Sequence, residues 1–241
     1  MNYSEFVPPI LKNLRARKPY QSFNAALAEC DGYEAADIIN VVFEKTKALK
    51  IARLSPPNVF LLACLGEESV LDFGGACGAD YFIARMVKGK PLKWTVTETP
   101  AMVAKAKALE SDELRFSTEL ESAELIHTSG ALQCVDRPFD YLAKLLNLGA
   151  KKIVFNRLGL SKGGDVFAIY RSKLSWNGSG SLPPGIEDRW VTYPFTFPSK
   201  ARFMSMVQEK YDIVCTVADD SGIFPVRGAK IEGGGMLARL R

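Results

Sequence analysis

Histidine is almost missing from this 241-residue sequence: His127 is the only one, so imidazole acid–base chemistry is confined to a single position. The five cysteines (Cys30, Cys64, Cys77, Cys134 and Cys215) are odd in number and form no C-x-x-C pair. Neither a disulfide framework nor a zinc site is expected, and no metal is assigned. Long hydrophobic runs are lacking as well. The longest, Val59 to Leu65, falls far short of the roughly 20 apolar residues of a membrane-spanning helix, and Met1 to Tyr20 has no apolar signal-peptide core. No integral membrane segment and a cytoplasmic location are therefore expected. Nor does one sign of charge dominate: 31 Lys and Arg against 27 Asp and Glu leave a net charge of +4, interspersed along the chain, so no nucleic-acid partner is expected. Basic residues gather only at Lys12, Arg15, Arg17 and Lys18, read as a solvated helix face. There is no phosphate-loop G-K-[ST] ending and no internal repeat.

What remains is an ordinary globular composition, 47% hydrophobic and 24% charged, suited to one α/β domain with an extension. The extension is expected over residues 1–66. Ser22 to Leu54 has helical spacing, interrupted at Gly32, and a second helix is expected from Asn58, as N-cap, to Leu65. From residue 67 strands and helices alternate. Strands are expected at Ser69–Phe73, Leu92–Thr97, Leu114–Ser117, Glu124–Thr128 and Lys151–Asn156, with helices at Tyr81–Val87, from Pro100 to Leu109 and at Pro138–Leu148. That alternation implies right-handed βαβ units and a parallel sheet. After Asn156 the regularity fails, and a loop-rich insertion is expected at about 159–200, with one candidate strand at Val166–Tyr170. A helix at Ala201–Lys210 and strands at Asp212–Val217 and Met236–Leu240 follow, the last after the loop-like Gly233-Gly234-Gly235.

The whole arrangement turns on Val70-Leu71-Asp72-Phe73-Gly74-Gly75-Ala76-Cys77-Gly78. In an open parallel α/β sheet ligands bind beyond the carboxyl ends of the strands, and the first strand-to-helix turn usually holds part of a nucleotide. Gly74, Gly75 and Gly78 let backbone approach a ligand closely. Glu98, ending the second strand, suits both hydroxyls of an adenosine ribose. Asp72 would repel a pyrophosphate but tolerates a ligand bearing an amino group and a sulfonium. The dinucleotide pattern G-x-G-x-x-G also fails, because Ala76 stands where its second glycine belongs. S-adenosylmethionine therefore fits better than a dinucleotide.

Asp72 to Gly78 resembles motif I of the class I S-adenosylmethionine-dependent methyltransferases, and Glu98-Thr99-Pro100-Ala101-Met102-Val103 resembles their acidic second motif. Together with Tyr81-Phe82, Trp94 and Ser129-Gly130-Ala131-Leu132-Gln133, the series resembles a family of bacterial methyltransferases, assigned by sequence, that is often linked with surface-polysaccharide genes. The resemblance is densest from Gly32 to Arg157. It implies a Rossmann-like fold with a mostly parallel central sheet and a C-terminal antiparallel strand. It also implies cofactor contacts from Asp72, Gly74, Gly75, Gly78, Glu98, Thr99, Met102 and Ser129, and a small-molecule or saccharide acceptor methylated on oxygen or nitrogen.

Other readings compete. The glycines could serve only a tight turn, Glu98 a helix N-terminus, Met102 the core, and Asp80 a helix cap. Ala76 and the absence of a clear base admit a non-catalytic binding module, and a nucleotide-dependent oxidoreductase is a third reading. His127 and Gln133 are candidate catalytic residues, although a packed, neutral His127 fits a buried strand better. Trp190 and Tyr193, in an aromatic stretch, are expected to line the acceptor side. Oligomeric state is not legible.

Overall fold

The computed structural model describes residues 20–51, 53–66, 69–226 and 228–241; the basic residues at 12–18 lie outside them. Two helices, α1 (Phe23–Leu27) and α2 (Ala36–Lys47), lie within the interrupted helical stretch expected from Ser22 to Leu54. The break falls around Gly32, whose φ of 84° is left-handed. The next helix, α3 (Pro56–Cys64), starts earlier than expected. Ser55 rather than Asn58 is its N-cap, and Ser55 and Asn58 exchange bonds in a capping box while Pro56 and Pro57 open the first turn.

The central sheet contains β1 (Val70–Phe73), β2 (Trp94–Thr97), β3 (Leu114–Ser117), β4 (Leu125–Ser129), β5 (Lys152–Ser161), β8 (Tyr211–Val226) and β9 (Ala229–Leu240), in the order β3-β2-β1-β4-β5-β9-β8. The pairs from β3 to β5 are parallel, and β9 runs antiparallel to both neighbours. Helices α4 (Ala79–Lys88), α5 (Pro100–Ala106), α6 (Pro138–Asn147) and α7 (Lys200–Gln208) complete the layers. Side chains alternate across each strand. Leu71, Phe73, Ile126, Ile153 and Phe155 join Phe139, Leu142, Leu145, Phe203 and Val207 in one apolar layer. Val70, Trp94, Val96, Leu125 and Val154 join α2 to α5 in the other.

The interval 159–200 is more ordered than a loop-rich insertion. β5 runs on to Ser161, and β6 (Val166–Lys173) pairs antiparallel with β7 (Trp190–Phe197) as a separate two-stranded sheet. Pro194 sits inside β7 opposite Ile169; in a two-stranded sheet both strands are edges, where a missing N–H is tolerated. The three consecutive glycines were likewise misleading. Gly233, Gly234 and Gly235 lie inside β9, where a Cβ on Gly234 would overlap the Val217 carbonyl and one on Gly235 would press on the Phe155 carbonyl. They serve close strand contact rather than a loop.

A buried lysine ties the extension to the insertion. Lys45 of α2 donates from Nζ to the carbonyls of Ser175, Asn177 and Gly178 at 2.7, 2.8 and 2.8 Å. Burial pulls its amine down to about 8, yet three acceptors occupy all three N–H bonds of an ammonium. Only the charged form completes that geometry, so we assign Lys45 as charged near neutrality.

Candidate functional site

Parallel pairing sets the carboxyl ends of β1, β2, β4 and β5 side by side: Phe73 lies opposite Thr97 and Thr128, and Ser129 opposite Asn156. Above this edge is a cavity of about 590 Å³, within the roughly 300–1,000 Å³ of small-molecule sites. Its floor is the glycine turn. Gly74 donates its N–H to the Thr97 carbonyl at 2.9 Å. A Cβ on Gly74 would overlap Ala131 Cβ, and one on Gly75 would overlap the Asp72 carboxylate, so packing alone already demands glycine at both. Gly78, at φ 77°, caps α4 and does not line the cavity.

Ala76 adopts a glycine-like backbone, φ 51°, at a cost of about 1–2 kcal/mol for an L-residue. Ala76→Gly is expected to stabilise the protein by about 0.5–1 kcal/mol, strain relief being partly offset by the greater freedom of glycine in the unfolded chain. A lower melting temperature in the variant would show that the lost methyl packing outweighs the strain.

Glu98 follows β2 and closes the turn. Its Oε1 accepts from the Ala76 N–H at 3.0 Å and its Oε2 from the Thr99 N–H at 2.9 Å. Each oxygen keeps acceptor capacity, and the residue lines the cavity. Burial pushes the carboxyl up to about 7, with Asp72 adding to it and the two backbone N–H groups opposing. Thr99 also lines the cavity and caps α5, its Oγ1 accepting from the Met102 N–H at 3.5 Å. Met102 is buried beneath, its sulfur 3.6 Å from Cys77 Sγ, outside the cavity lining.

Behind the turn a polar network runs through the core. Asp72, His127 and Asn156 share one face of β1, β4 and β5. His127 Nδ1 lies 2.9 Å from Asp72 Oδ1, and Trp94 Nε1 donates to Asp72 Oδ2 at 3.3 Å. Asn156 Nδ2 is 3.2 Å from His127 Nε2 and donates to the Pro57 carbonyl at 3.1 Å, while Asn58 donates to Asp80 Oδ1 at 2.8 Å. The start of α3 is thereby fastened to the sheet. Burial alone would lower the His127 imidazole, but the Asp72 carboxylate overcomes it and holds the group above its usual value. Ligand atoms of Asp72, Asp80 and His127 lie within 4.8 Å of one another, and burial pushes the Asp80 carboxyl up. Asp72 and His127 are buried and outside the lining, whereas Asp80 reaches the cavity.

The opposite wall was less legible. Ser129 lines the cavity and receives Arg157, whose Nε donates to Ser129 Oγ at 2.8 Å and Nη2 to the Ser129 carbonyl at 2.9 Å. Gln133 is buried at the cavity wall, and its Oε1 accepts from the Gly159 N–H at 2.7 Å, which ties this loop to β5. Tyr193 lines the cavity with Tyr33, 5.3 Å away between ring centroids, and Tyr170, at 5.2 Å. Burial pushes all three phenols up, Tyr170 to about 12. They are neutral donors, not bases. Trp190 is a correction. Residues 190 and 193 on one strand face opposite ways, and Trp190 is exposed beside Trp176 with Arg171 and Lys173 over its ring. It does not line the cavity.

Tyr33, Tyr170 and Arg157 were not assigned to the site from sequence. The available signal was the alternation Tyr193, Phe195, Phe197, which a period-two reading assigns to one face. Nothing around Arg157 announces that β5 bulges there.

Neither a protein-family model nor a curated protein sequence matches the chain. Its fold does match solved structures. The CcbJ methyltransferase from Streptomyces caelestis aligns at TM-score 0.50 and 13% identity over 85% of this chain and 98% of its own. A 1,6-didemethyltoxoflavin-N1-methyltransferase from Burkholderia thailandensis, with bound 1,6-didemethyltoxoflavin and S-adenosylhomocysteine, aligns at 0.50 and 16% over 92% and 93%. The glycopeptide N-methyltransferase MtfA complexed with S-adenosylmethionine aligns at 0.52 and 11% over 88% and 98%. At such identities the likeness concerns architecture, and this chain has the Rossmann-like fold of these methyltransferase structures.

Proposed function

We propose that the protein is an S-adenosylmethionine-dependent methyltransferase acting on oxygen or nitrogen of a small-molecule or saccharide acceptor. The observation that carries this reading is Glu98, a carboxylate with spare acceptor capacity at the end of β2, facing the same cavity as the Gly74–Ala76 turn. That pair of accepting oxygens suits the two hydroxyls of an adenosine ribose, and the fold is shared with structures that hold S-adenosylmethionine or its demethylated product. Bound S-adenosylmethionine would supply a methyl carbon already activated by its sulfonium, transferred as the acceptor's lone pair forms the new bond and the C–S pair stays on sulfur.

The protein's own part is mainly positioning, which accounts for much of the acceleration of such reactions. Glu98 would hold the ribose, the turn and Thr99 would flank the nucleoside, and Ser129 would border the transfer region. Asp72 supports the turn from beneath. Tyr33, Tyr170 and Tyr193 exclude water from one wall. His127, with both ring nitrogens engaged by protein groups, orients Asp72 rather than taking the acceptor's proton, which passes to solvent. Ala76 motivated the non-catalytic reading, but its N–H still meets Glu98, so the left-handed turn is intact.

Isothermal titration separates the cofactor readings. S-adenosylhomocysteine should bind and raise the melting temperature, as a ligand selective for the folded state does, and NAD should not. Tighter binding of NAD than of S-adenosylhomocysteine would transfer the site to an oxidoreductase. Cofactor binding without product formation on any acceptor would favour the binding module.

A further inference from the structure

The pairing of β5 with β9 shifts register between Phe155 and Leu158. Inside that bulge Arg157 takes a left-handed φ of 49°. Bulges re-aim side chains, and left-handed non-glycine residues concentrate at ligand sites. Here the guanidinium comes to lie on the cavity wall at the ends of β4 and β5. Ser129 takes one N–H from Nε and one from Nη2, which leaves three of the five guanidinium donors, including both on Nη1. Among the described residues no carboxylate lies within ion-pair distance of it. Arg189 and Arg241, also exposed, do have such partners, Asp37 and Asp212, and Arg171 and Arg202 lie over the Trp190 and Phe139 rings. An oriented, unneutralised cation in a half-apolar cavity is an anion receptor, and a planar fork favours carboxylate or phosphate.

Position distinguishes an anionic group of the acceptor from the carboxylate of S-adenosylmethionine itself. The glycine turn and Glu98 occupy the β1 and β2 ends, whereas Arg157 stands across β4, beside the wall of Tyr170 and Tyr193. We propose that Arg157 anchors an anionic group of the methyl acceptor, so that the acceptor is a flat-ringed molecule bearing a carboxylate or a phosphate. This rests on the methyltransferase reading above. The ring packs on the tyrosines and the anion meets the free edge of the guanidinium, so Ser129 sets the direction of the fork.

The test uses the full-length protein saturated with S-adenosylhomocysteine, titrated calorimetrically with 4-hydroxybenzoate, phenyl phosphate and, as the charge-reversed control, tyramine. One of the two anions should bind about tenfold or more tightly than tyramine, and which one does so decides between carboxylate and phosphate. Arg157→Gln should weaken that anion about tenfold or more while leaving S-adenosylhomocysteine affinity unchanged. Arg157→Gly should do the same; glycine accepts the left-handed backbone, so the loss cannot be put down to misfolding. Loss of S-adenosylhomocysteine affinity in both variants would instead place Arg157 on the cofactor's own carboxylate. Equal binding of tyramine, anion binding that survives both substitutions, or no binding of any probe to the loaded wild type would also overturn the proposal. Failure of wild type to bind S-adenosylhomocysteine would sink the methyltransferase reading itself, a separate result.

Discussion

Glu98→Ala is expected to weaken S-adenosylhomocysteine binding by about 100-fold or more, because two charge-assisted hydrogen bonds to the ribose are lost at once, each worth roughly 1.5–3 kcal/mol. Glu98→Gln should fall between, since its amide keeps one accepting oxygen. The same carboxyl predicts a pH dependence. It is pushed up to about 7 in the unliganded protein, against an ordinary value near 4.5, so the folded state binds more protons than the unfolded state between those values. Stability contributed by this protonation is present below about 4.5 and lost as pH rises through about 7. Ribose binding has the opposite preference, since the ionised carboxylate accepts from both hydroxyls. From pH 6 to pH 8 the unliganded melting temperature should therefore fall while S-adenosylhomocysteine affinity rises, with protons released on binding near pH 7. Calorimetry in two buffers of different ionisation enthalpy measures that release. A pH-independent affinity, or wild-type affinity in Glu98→Ala, would remove Glu98 from the ribose.

How much of this was legible depends on the range of the signal. The glycine turn, Glu98 and the β1–β5 alternation are local patterns, and the parallel sheet follows from them. The cap of α3 was legible too: Ser55 precedes two prolines and Asn58, a capping-box spacing that the choice of Asn58 as cap overlooked. Trp190 was misplaced alongside Tyr193, which does line the cavity, because their stretch was taken as loop. Once it is a strand, an odd separation places them on opposite faces. The glycines of β9 show the converse error, since tight strand packing and turn formation call for the same residue. The contacts joining Asp72 to His127 and Lys45 to Asn177 span 55 and 132 positions, and local periodicity carries no trace of them. Nor does a bulge at Arg157 leave a mark in Asn156-Arg157-Leu158-Gly159.

The second large effect concerns stability rather than binding. His127→Leu should destabilise the protein by about 3–5 kcal/mol, the range for removing one partner of a buried charged pair, and lower the melting temperature by roughly 10 °C in a chain of this size. The cause is Asp72. Fully buried beneath the glycine turn, it would keep, among the described residues, only the 3.3 Å bond from Trp94 Nε1, and Asn156 Nδ2 would lose the ring nitrogen 3.2 Å away. Asp72→Asn with His127→Leu should be less destabilising than the sum of the two single changes, because the uncompensated carboxylate is gone. The pH dependence supplies an independent check. The imidazole is held above its usual value chiefly against the cost of burial; its stabilising contribution is fully present below that usual value and is lost as pH rises through the folded one. The melting temperatures of wild type and His127→Leu should accordingly converge as pH rises. Methyl transfer by the folded fraction should stay within about tenfold of wild type, whereas loss of an essential general base typically costs roughly 10²–10⁴. A well-folded His127→Leu protein with a loss of that larger size would make His127 the base, and would require the acceptor's proton to reach it through Asp80, the one carboxyl of this cluster that opens on the cavity.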